Sequence, residues 1–255
     1  MSADLSRLTA IVHTNGRQQS VARLIHSVAW LYPQLKVLVA DDSRQPQPVA
    51  GAEPVKMPLD SGVSACRNAL LARLRTPYFL LLEDNLELNR GSHVEKLLEA
   101  VAGGLCDIAA GDMMRCRRRF GLFTKREADP GHATVEVTAE AVQVTAGSRP
   151  GVGGVQGCDV AHNFFVARTD KVRAMGGWDP QLLVDERLEF FVRARRFGVK
   201  VGVCPAAVAW RWQDGAAAKN VRDFSALAVT KMGVSRLVDA NGRIIEASGV
   251  QTRAA

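Results

Sequence analysis

Residues 80–88 read LLLEDNLEL: three leucines, then Glu83, Asp84 and Asn85, then alternating apolar and polar positions. An apolar run that closes on clustered acids is the pattern of a buried strand carrying carboxylates to a sheet edge. Carboxylates so placed commonly grip a divalent ion, yet the third member of this trio is an amide. The stretch can be read as a working metal site, an altered one, or the plain acidic end of a strand.

Outward from it, the first half of the chain alternates between strand and helix signatures. Residues 8–14 (LTAIVHT) form a short apolar run followed by the turn signal TNGR. Val21, Leu24, Ile25, Val28 and Leu31 fall at helical spacing, and residues 35–40 are a second apolar run ending in Asp41, Asp42 and Ser43. The Pro- and Gln-rich RQPQPVAG is a loop. A short strand at 55–57, a helix from Ser61, the strand at 78–82 and a helix over 93–102 complete the series. This order predicts an α/β fold with a mainly parallel central sheet flanked by helices. Ligands of such sheets sit beyond the carboxyl ends of the strands, where ADDS and EDN both lie.

The second half has a different texture. Residues 106–112 read as a strand, and 115–155 are basic or Gly-rich with one amphipathic strand over 133–144. Then come a strand NFFVAR, a helix TDKVRAMG, the turn GGWDP, a helix over 185–197 and a strand VKVGVCP. A helix over 224–231 and LVDANGRIIE follow, where Asn241-Gly242 predicts a two-residue hairpin turn.

With 255 residues, 47% hydrophobic and 23% charged, the chain has the balance of a soluble globular protein with a substantial core. No stretch approaches the roughly 18 apolar residues that span a bilayer. The opening MSADLSRL lacks the basic and apolar regions of a signal peptide, so a cytoplasmic location is expected. Five scattered cysteines with no CxxC pair predict buried free thiols rather than a zinc site or disulfides. The net charge of +7, with a pI near 9.5, suits an anionic partner. Six of the cations sit in RCRRRFGLFTKR at 115–126, while aromatic residues are only 6% of the chain. That balance favours a phosphate-bearing small substrate over nucleic acid.

Taken in order, VLVADDS, GVSACRNALL, FLLLEDN and NFFVARTDKVRAMGGWDP…LEFFVRARRFG, spread over about two thirds of the chain, resemble the family 2 glycosyltransferases with an A-type nucleotide-sugar-binding fold. The NFFVARTDKVR and LEFF wording is similar to the N-acetylgalactosaminyltransferases that modify gangliosides and related glycans. The resemblance implies one A-type domain over residues 1–215, with a nucleotide-binding half (1–112) and an acceptor and catalytic half (156–215), and a C-terminal extension over 216–255. It implies a UDP-sugar donor and an acceptor hydroxyl on a glycan, lipid-linked sugar, peptide or small molecule; oligomeric state is left open.

Residue by residue, Asp41 and Asp42 can accept hydrogen bonds from uracil or ribose, and the resemblance makes the matching acid a nucleoside contact. Thr14, closing the first strand, joins them as a candidate nucleotide contact. Arg67, on the first turns of a helix, becomes a nucleotide or diphosphate contact, with a fixed charge suited to phosphate; Asp60 and Ser61 are read as caps of that helix. Glu83, Asp84 and Asn85 match the family's DxD-type motif, in which carboxylates hold Mn²⁺ or Mg²⁺ against the diphosphate. Asp84 and Asn85 are thus the candidate metal ligands, with Glu83 beside them.

Two departures weaken that metal site. Asn85 stands where an acid is usual, and Trp210 stands where the family often supplies a histidine; no histidine follows His162. Both predict an ion held weakly, held by Asp84 with substrate oxygens alone, or absent; in the last case leaving-group charge passes to the 115–126 loop, whose plain reading is a solvated surface segment. Inverting transfer also needs a general base. The LEFF match makes Glu189 the expected base; an alignment on the family's ED pair favours Glu186 as the alternative, and Asp185 adjoins them. Trp178 and Asp179 of GGWDP are candidates to contact the donor sugar, although such a Trp is more often a buried anchor. His162 is read as structural. Two other classes are weighed: a sugar-phosphate nucleotidyltransferase, which HTNGRQQS with its single Gly matches poorly, and a degenerate nucleotide-sugar-binding scaffold.

Overall fold

The computed structural model describes residues 3–119, 123–213 and 224–247. Along the chain it runs β1 (Leu8–Thr14), α1 (Gln18–Leu31), β2 (Lys36–Asp41), β3 (Glu53–Lys56), α2 (Val63–Arg73), β4 (Tyr78–Glu83), β5 (Leu86–Glu87) and α3 (Val94–Ala102). There follow β6 (Ile108–Arg119), β7 (Phe123–Asp129), β8 (Ala133–Val137), β9 (Ala141–Ala146), β10 (Arg149–Val152), β11 (Val155–Cys158), β12 (Phe165–Arg168) and α4 (Thr169–Ala174). The last elements are α5 (Glu186–Arg196), β13 (Val201–Trp212), α6 (Ser225–Lys231), β14 (Arg236–Val238) and β15 (Ile244–Glu246).

One large sheet has the order β10-β11-β13-β6-β12-β4-β1-β2-β3, with β5 on β13 and β7 on β6. β1, β2, β3 and β4 are mutually parallel, and β6 and β13 are parallel to each other. β12 is inserted antiparallel between β4 and β6. The α/β class and the large central sheet flanked by helices expected from the sequence are therefore present, but the sheet is mixed: beyond the parallel β1–β4 block and the β6–β13 pair, its pairings among the described residues are antiparallel. Side-chain alternation along each strand divides the core in two. Ile11, Leu38, Phe79, Leu81 and Phe165 pack with Leu70 of α2 and Phe190 of α5, whereas Ala10, Val12, Val39, Leu80 and Leu82 pack with Leu24 of α1 and Leu97 of α3. Just before the chain enters β12 alongside β6, a Cβ on Gly111 would lie 2.4 Å from the Phe164 ring and 2.6 Å from the Ala207 carbonyl oxygen, so only glycine fits.

Several elements differ from the sequence pattern. The basic 115–126 segment is not a loop: β6 and β7 pair from Met113↔Asp129 to Arg119↔Phe123, with residues 120–122 outside the described set. The single strand expected over 133–144 is a hairpin, β8 against β9, broken at Thr138, whose hydroxyl accepts from the Glu140 and Ala141 amides. The predicted Asn241-Gly242 turn is longer, because Val238 pairs with Ile244 and Asp239 organises the bend by accepting from the Asn241 and Arg243 amides. Polar turn chemistry inside an amphipathic run is invisible to periodicity. Within 216–255, β14 joins β9 in parallel and so completes a second sheet, β15-β14-β9-β8, while α6 packs on α5.

Trp178 is buried among Phe79, Phe165, Phe190 and Phe191, with its ring stacked on Phe190 at 4.7 Å and 11°. At 1% exposure it is an anchor of the core, not a surface offered to a sugar. Trp178→Ala is expected to lower unfolding free energy by about 3–5 kcal/mol in urea titration. A loss under about 1 kcal/mol would remove it from the core.

Candidate active site

The carboxyl ends of β1, β2 and β4 meet the start of α2, as parallel pairing demands: Thr14 lies beside Asp41 and His13 beside Glu83. A cleft of about 240 Å³ opens there, lined by His13, Asn15, Arg17, Val63, Arg67, Leu82, Glu83, Asp84 and Asn85. The HTNGR turn, read from sequence only as a turn apart from Thr14, thus supplies three lining residues. Its signal was available: polar residues directly after a buried strand share the sheet edge with ADDS and EDN.

Asp41 and Asp42 face different ways, as neighbours near a strand end do. Asp41 accepts from the Ser43 amide (2.9 Å) and from Gln18 Nε2 (3.2 Å), and it lines a separate cleft of about 360 Å³ with Pro46, Pro48 and Met57. Asp42 is buried, accepting from His13 Nε2 (2.9 Å), Asn15 Nδ2 (3.0 Å) and the Gly62 amide (2.8 Å). Burial pushes its carboxyl upward, but those three bonds outweigh it and hold the pKa below the ordinary value. Gly62 adopts φ +83°, and a Cβ there would meet Leu183 at 2.6 Å, so the amide reaches Asp42 only because the residue is glycine. Asp60 and Ser61 do not cap α2: the N-cap is Gly62, and Ser61 Oγ donates instead to the Pro58 carbonyl.

Asp84 is buried with both oxygens engaged, Oδ2 by Thr14 Oγ1 (2.8 Å) and Oδ1 by Arg17 Nη1 (2.9 Å). Burial raises its pKa, and Arg17 and Thr14 offset this only in part. Glu83 accepts from Asn163 Nδ2 (3.0 Å), and Asn85 Oδ1 is buried without a partner. Among the described residues, the ligand atoms that converge as a His, Cys, Asp or Glu trio belong to His13, Asp42 and Cys66, not to the EDN segment. The thiol of Cys66 is pushed up to about 12 by burial and by Asp42. Beside Asn85, the carbonyl accepts from the Trp212 amide (2.9 Å), and Trp210 pairs with Glu87 while its ring stacks on Arg126 at 4.2 Å.

Arg67 is buried and donates to Glu186 Oε1, with its guanidinium 5.6 Å from the Trp178 ring centre. Glu186 therefore belongs to the site. Glu189, one turn on, is buried against α5's own Arg193, which binds both its oxygens (2.6 and 3.0 Å) and also the Met175 carbonyl. Asp185 is exposed at φ +61° and accepts from the Phe224 amide (3.2 Å). Asp179 accepts from the Gln181 amide and pairs with Lys231 at 3.1 Å, away from the cleft. His162 is buried and donates through Nε2 to the Asp129 carbonyl (2.6 Å), with burial pushing its pKa down.

The cations of the 115–126 segment whose side chains are described are engaged elsewhere. Arg115 bonds Asp129 (2.6 Å), Arg117 bonds Gln213, Lys125 pairs with Glu127, and Arg118 and Arg126 lie on Trp212 and Trp210. None of them lines the nine-residue cleft.

Asp42→Asn is expected to cost about 1–3 kcal/mol at neutral pH, because one buried donor loses its acceptor. The native pKa lies below the unfolded one, so this contribution is present above the unfolded carboxylate value of about 3.9 and vanishes as pH falls through the depressed native value. Denaturation from pH 7 to pH 3 should show the gap between wild type and variant closing; a constant gap would refute the linkage.

No family model matches the chain. It is 30% identical over 210 residues to human beta-1,4 N-acetylgalactosaminyltransferase 1, an alignment that covers 79% of this chain and 38% of that protein. The mouse type 2 enzyme is 26% identical over 206 residues with the same coverage. The chain thus spans about two fifths of the length of these relatives. Among solved structures, GalNAc-T7 with UDP, GalNAc and Mn²⁺ superposes with a TM-score of 0.67 at 12% identity, covering 88% of this chain and 48% of that one. Staphylococcus aureus TarS does so with 0.57 at 13% identity, covering 80% and 36%. By architecture the chain is an A-type glycosyltransferase fold, and by sequence a relative of the beta-1,4 N-acetylgalactosaminyltransferases.

Proposed function

We propose that the protein is a family 2 inverting glycosyltransferase that moves a hexose or N-acetylhexosamine, with N-acetylgalactosamine foremost, from a UDP-sugar to an acceptor hydroxyl. The observation that carries this reading is the convergence of the β1, β2 and β4 ends with Arg67 on one cleft, with Glu186 bonded to that arginine. Thr14, His13, Asn15 and the tip of β2 form the nucleoside end; Arg67 and the EDN segment form the diphosphate end. A divalent ion is held weakly there or is dispensable, because both Asp84 oxygens are already engaged.

In the transfer the acceptor oxygen attacks the anomeric carbon as the bond from that carbon to the diphosphate oxygen breaks, and UDP departs with the electron pair. The acceptor proton must go to a carboxylate. Glu186 is preferred over Glu189: Arg67 takes Oε1 of Glu186 and leaves Oε2 for the hydroxyl, whereas Arg193 clamps both oxygens of Glu189. Asp185 faces α6 instead, in a cleft of about 200 Å³ with Leu188, Ala228 and Met232, a place suited to the acceptor body.

Glu186→Gln is expected to lower turnover of UDP-N-acetylgalactosamine by about 100-fold or more while UDP affinity changes little. Glu189→Gln should act on thermal stability more than on turnover. Near-normal turnover in Glu186→Gln would remove it as the base. Donor binding with no transfer or hydrolysis under any condition would favour a nucleotide-sugar-binding protein over an enzyme.

A further inference from the structure

Resting on the donor reading above, we infer that Arg17 takes the place of a divalent ion at the diphosphate, so that this protein handles the leaving-group charge with a fixed guanidinium. The donors around the acidic strand end do not fit a tightly held metal. A hard divalent ion wants several anionic oxygens at one point. Asp84 is the one buried acid of the EDN segment, and Thr14 and Arg17 occupy its two oxygens. Glu83 is drawn to Asn163, the third position is a neutral amide, and no converging trio of ligand side chains involves this segment among the described residues. An ion entering here would have to displace a guanidinium from Asp84 and would gain in return the carbonyl of Asn85.

Arg17 has the properties the substitution requires. It sits on the turn after β1, held by its bond to the β4 acid, and 41% of its side chain is exposed, so its remaining N–H donors reach the cleft that it lines. Arg67, the other cation lining the cleft, is only 5% exposed and bound to Glu186. The geometry also accounts for Asp84: its buried carboxylate, bonded by Arg17 Nη1 at 2.9 Å, holds the guanidinium at the acidic end of the strand. As the anomeric carbon–oxygen bond breaks, the electron pair stays on the diphosphate. Arg17 then donates hydrogen bonds to the phosphate oxygens that gain charge, and no proton moves to or from it.

The test is calorimetric titration of UDP and of uridine into wild type, Arg17→Ala and Arg17→Lys, each with EDTA and then with Mn²⁺ at about 1 mM, with melting curves confirming the fold. Wild-type affinity for UDP should be the same within about threefold in EDTA and Mn²⁺. Arg17→Ala should weaken UDP by about tenfold or more and leave uridine unchanged, since only the diphosphate meets the guanidinium, and Arg17→Lys should recover part of the loss. A tenfold or greater gain of wild-type UDP affinity in Mn²⁺ would overturn the inference while leaving the donor reading intact. Equal losses for UDP and uridine in Arg17→Ala would also overturn it, by making Arg17 a structural residue. Absence of UDP binding to wild type in both buffers would overturn the donor reading itself.

Discussion

The buried carboxylate of Asp42 is the knot on which the site depends. It joins three segments that are remote in sequence: the end of β1 and the turn after it through His13 and Asn15, the tip of β2, and the start of α2 through the Gly62 amide. A buried anion is costly unless its lone pairs are used, so the arrangement is close to all-or-none. With Asp42 satisfied, the first helical turns of α2 project Arg67 into the cleft, and the His13–Arg17 turn is brought over the acidic end of β4. Parallel strand pairing sets the coarse position of these parts; this one side chain sets the fine position.

The same economy of charge runs through the rest of the molecule. Asp159 gathers Arg149 and Arg195 and the Val135 amide, fastening β10 and β8 to α5. Asp129 gathers Arg115 and Arg211 at the base of the β6–β7 hairpin. Much of the local excess near β6 and β7 is taken up by acids and by the rings of Trp210 and Trp212, while Arg17 and Arg67 line the cleft at the ends of β1 and β4.

Reading the sequence recovered the elements whose signals are local and periodic: the apolar strands β1, β2 and β4, the amphipathic helices, and the acids at the strand ends. It also placed Thr14, Asp42, Arg67 and the EDN trio at one sheet edge, because parallel topology puts carboxyl ends together. What it missed depends on which atom a side chain reaches. Arg17 has the same sequence signature whether it is a solvated turn residue or the partner of Asp84. Glu186 and Glu189 lie on neighbouring turns, and only the presence of Arg193 one turn beyond Glu189 and of Arg67 opposite Glu186 separates their roles. Asp41 and Asp42 are adjacent letters, yet the alternation of the strand sends them to different clefts. The basic segment misled for a related reason: a run of arginines reads as solvated loop until tryptophans from a distant strand are seen to cover it.

A seam of contacts runs from α2 to the segment that precedes α5. The Val63 amide donates to the Leu183 carbonyl, Ser64 Oγ to the Leu182 carbonyl, and Asn68 exchanges two hydrogen bonds with the backbone of Trp178. Every one of these joins a side chain or amide of α2 to main chain of the segment before α5, so the link does not depend on which side chains that segment carries. The exposed positions between Trp178 and Glu186 can consequently diversify over evolutionary time while the backbone path is inherited unchanged; Trp178 and Leu182 are held by burial and Glu186 by its bond to Arg67. New surface chemistry can arise beside the cleft at the ends of β1 and β4 without that cleft having to be rebuilt.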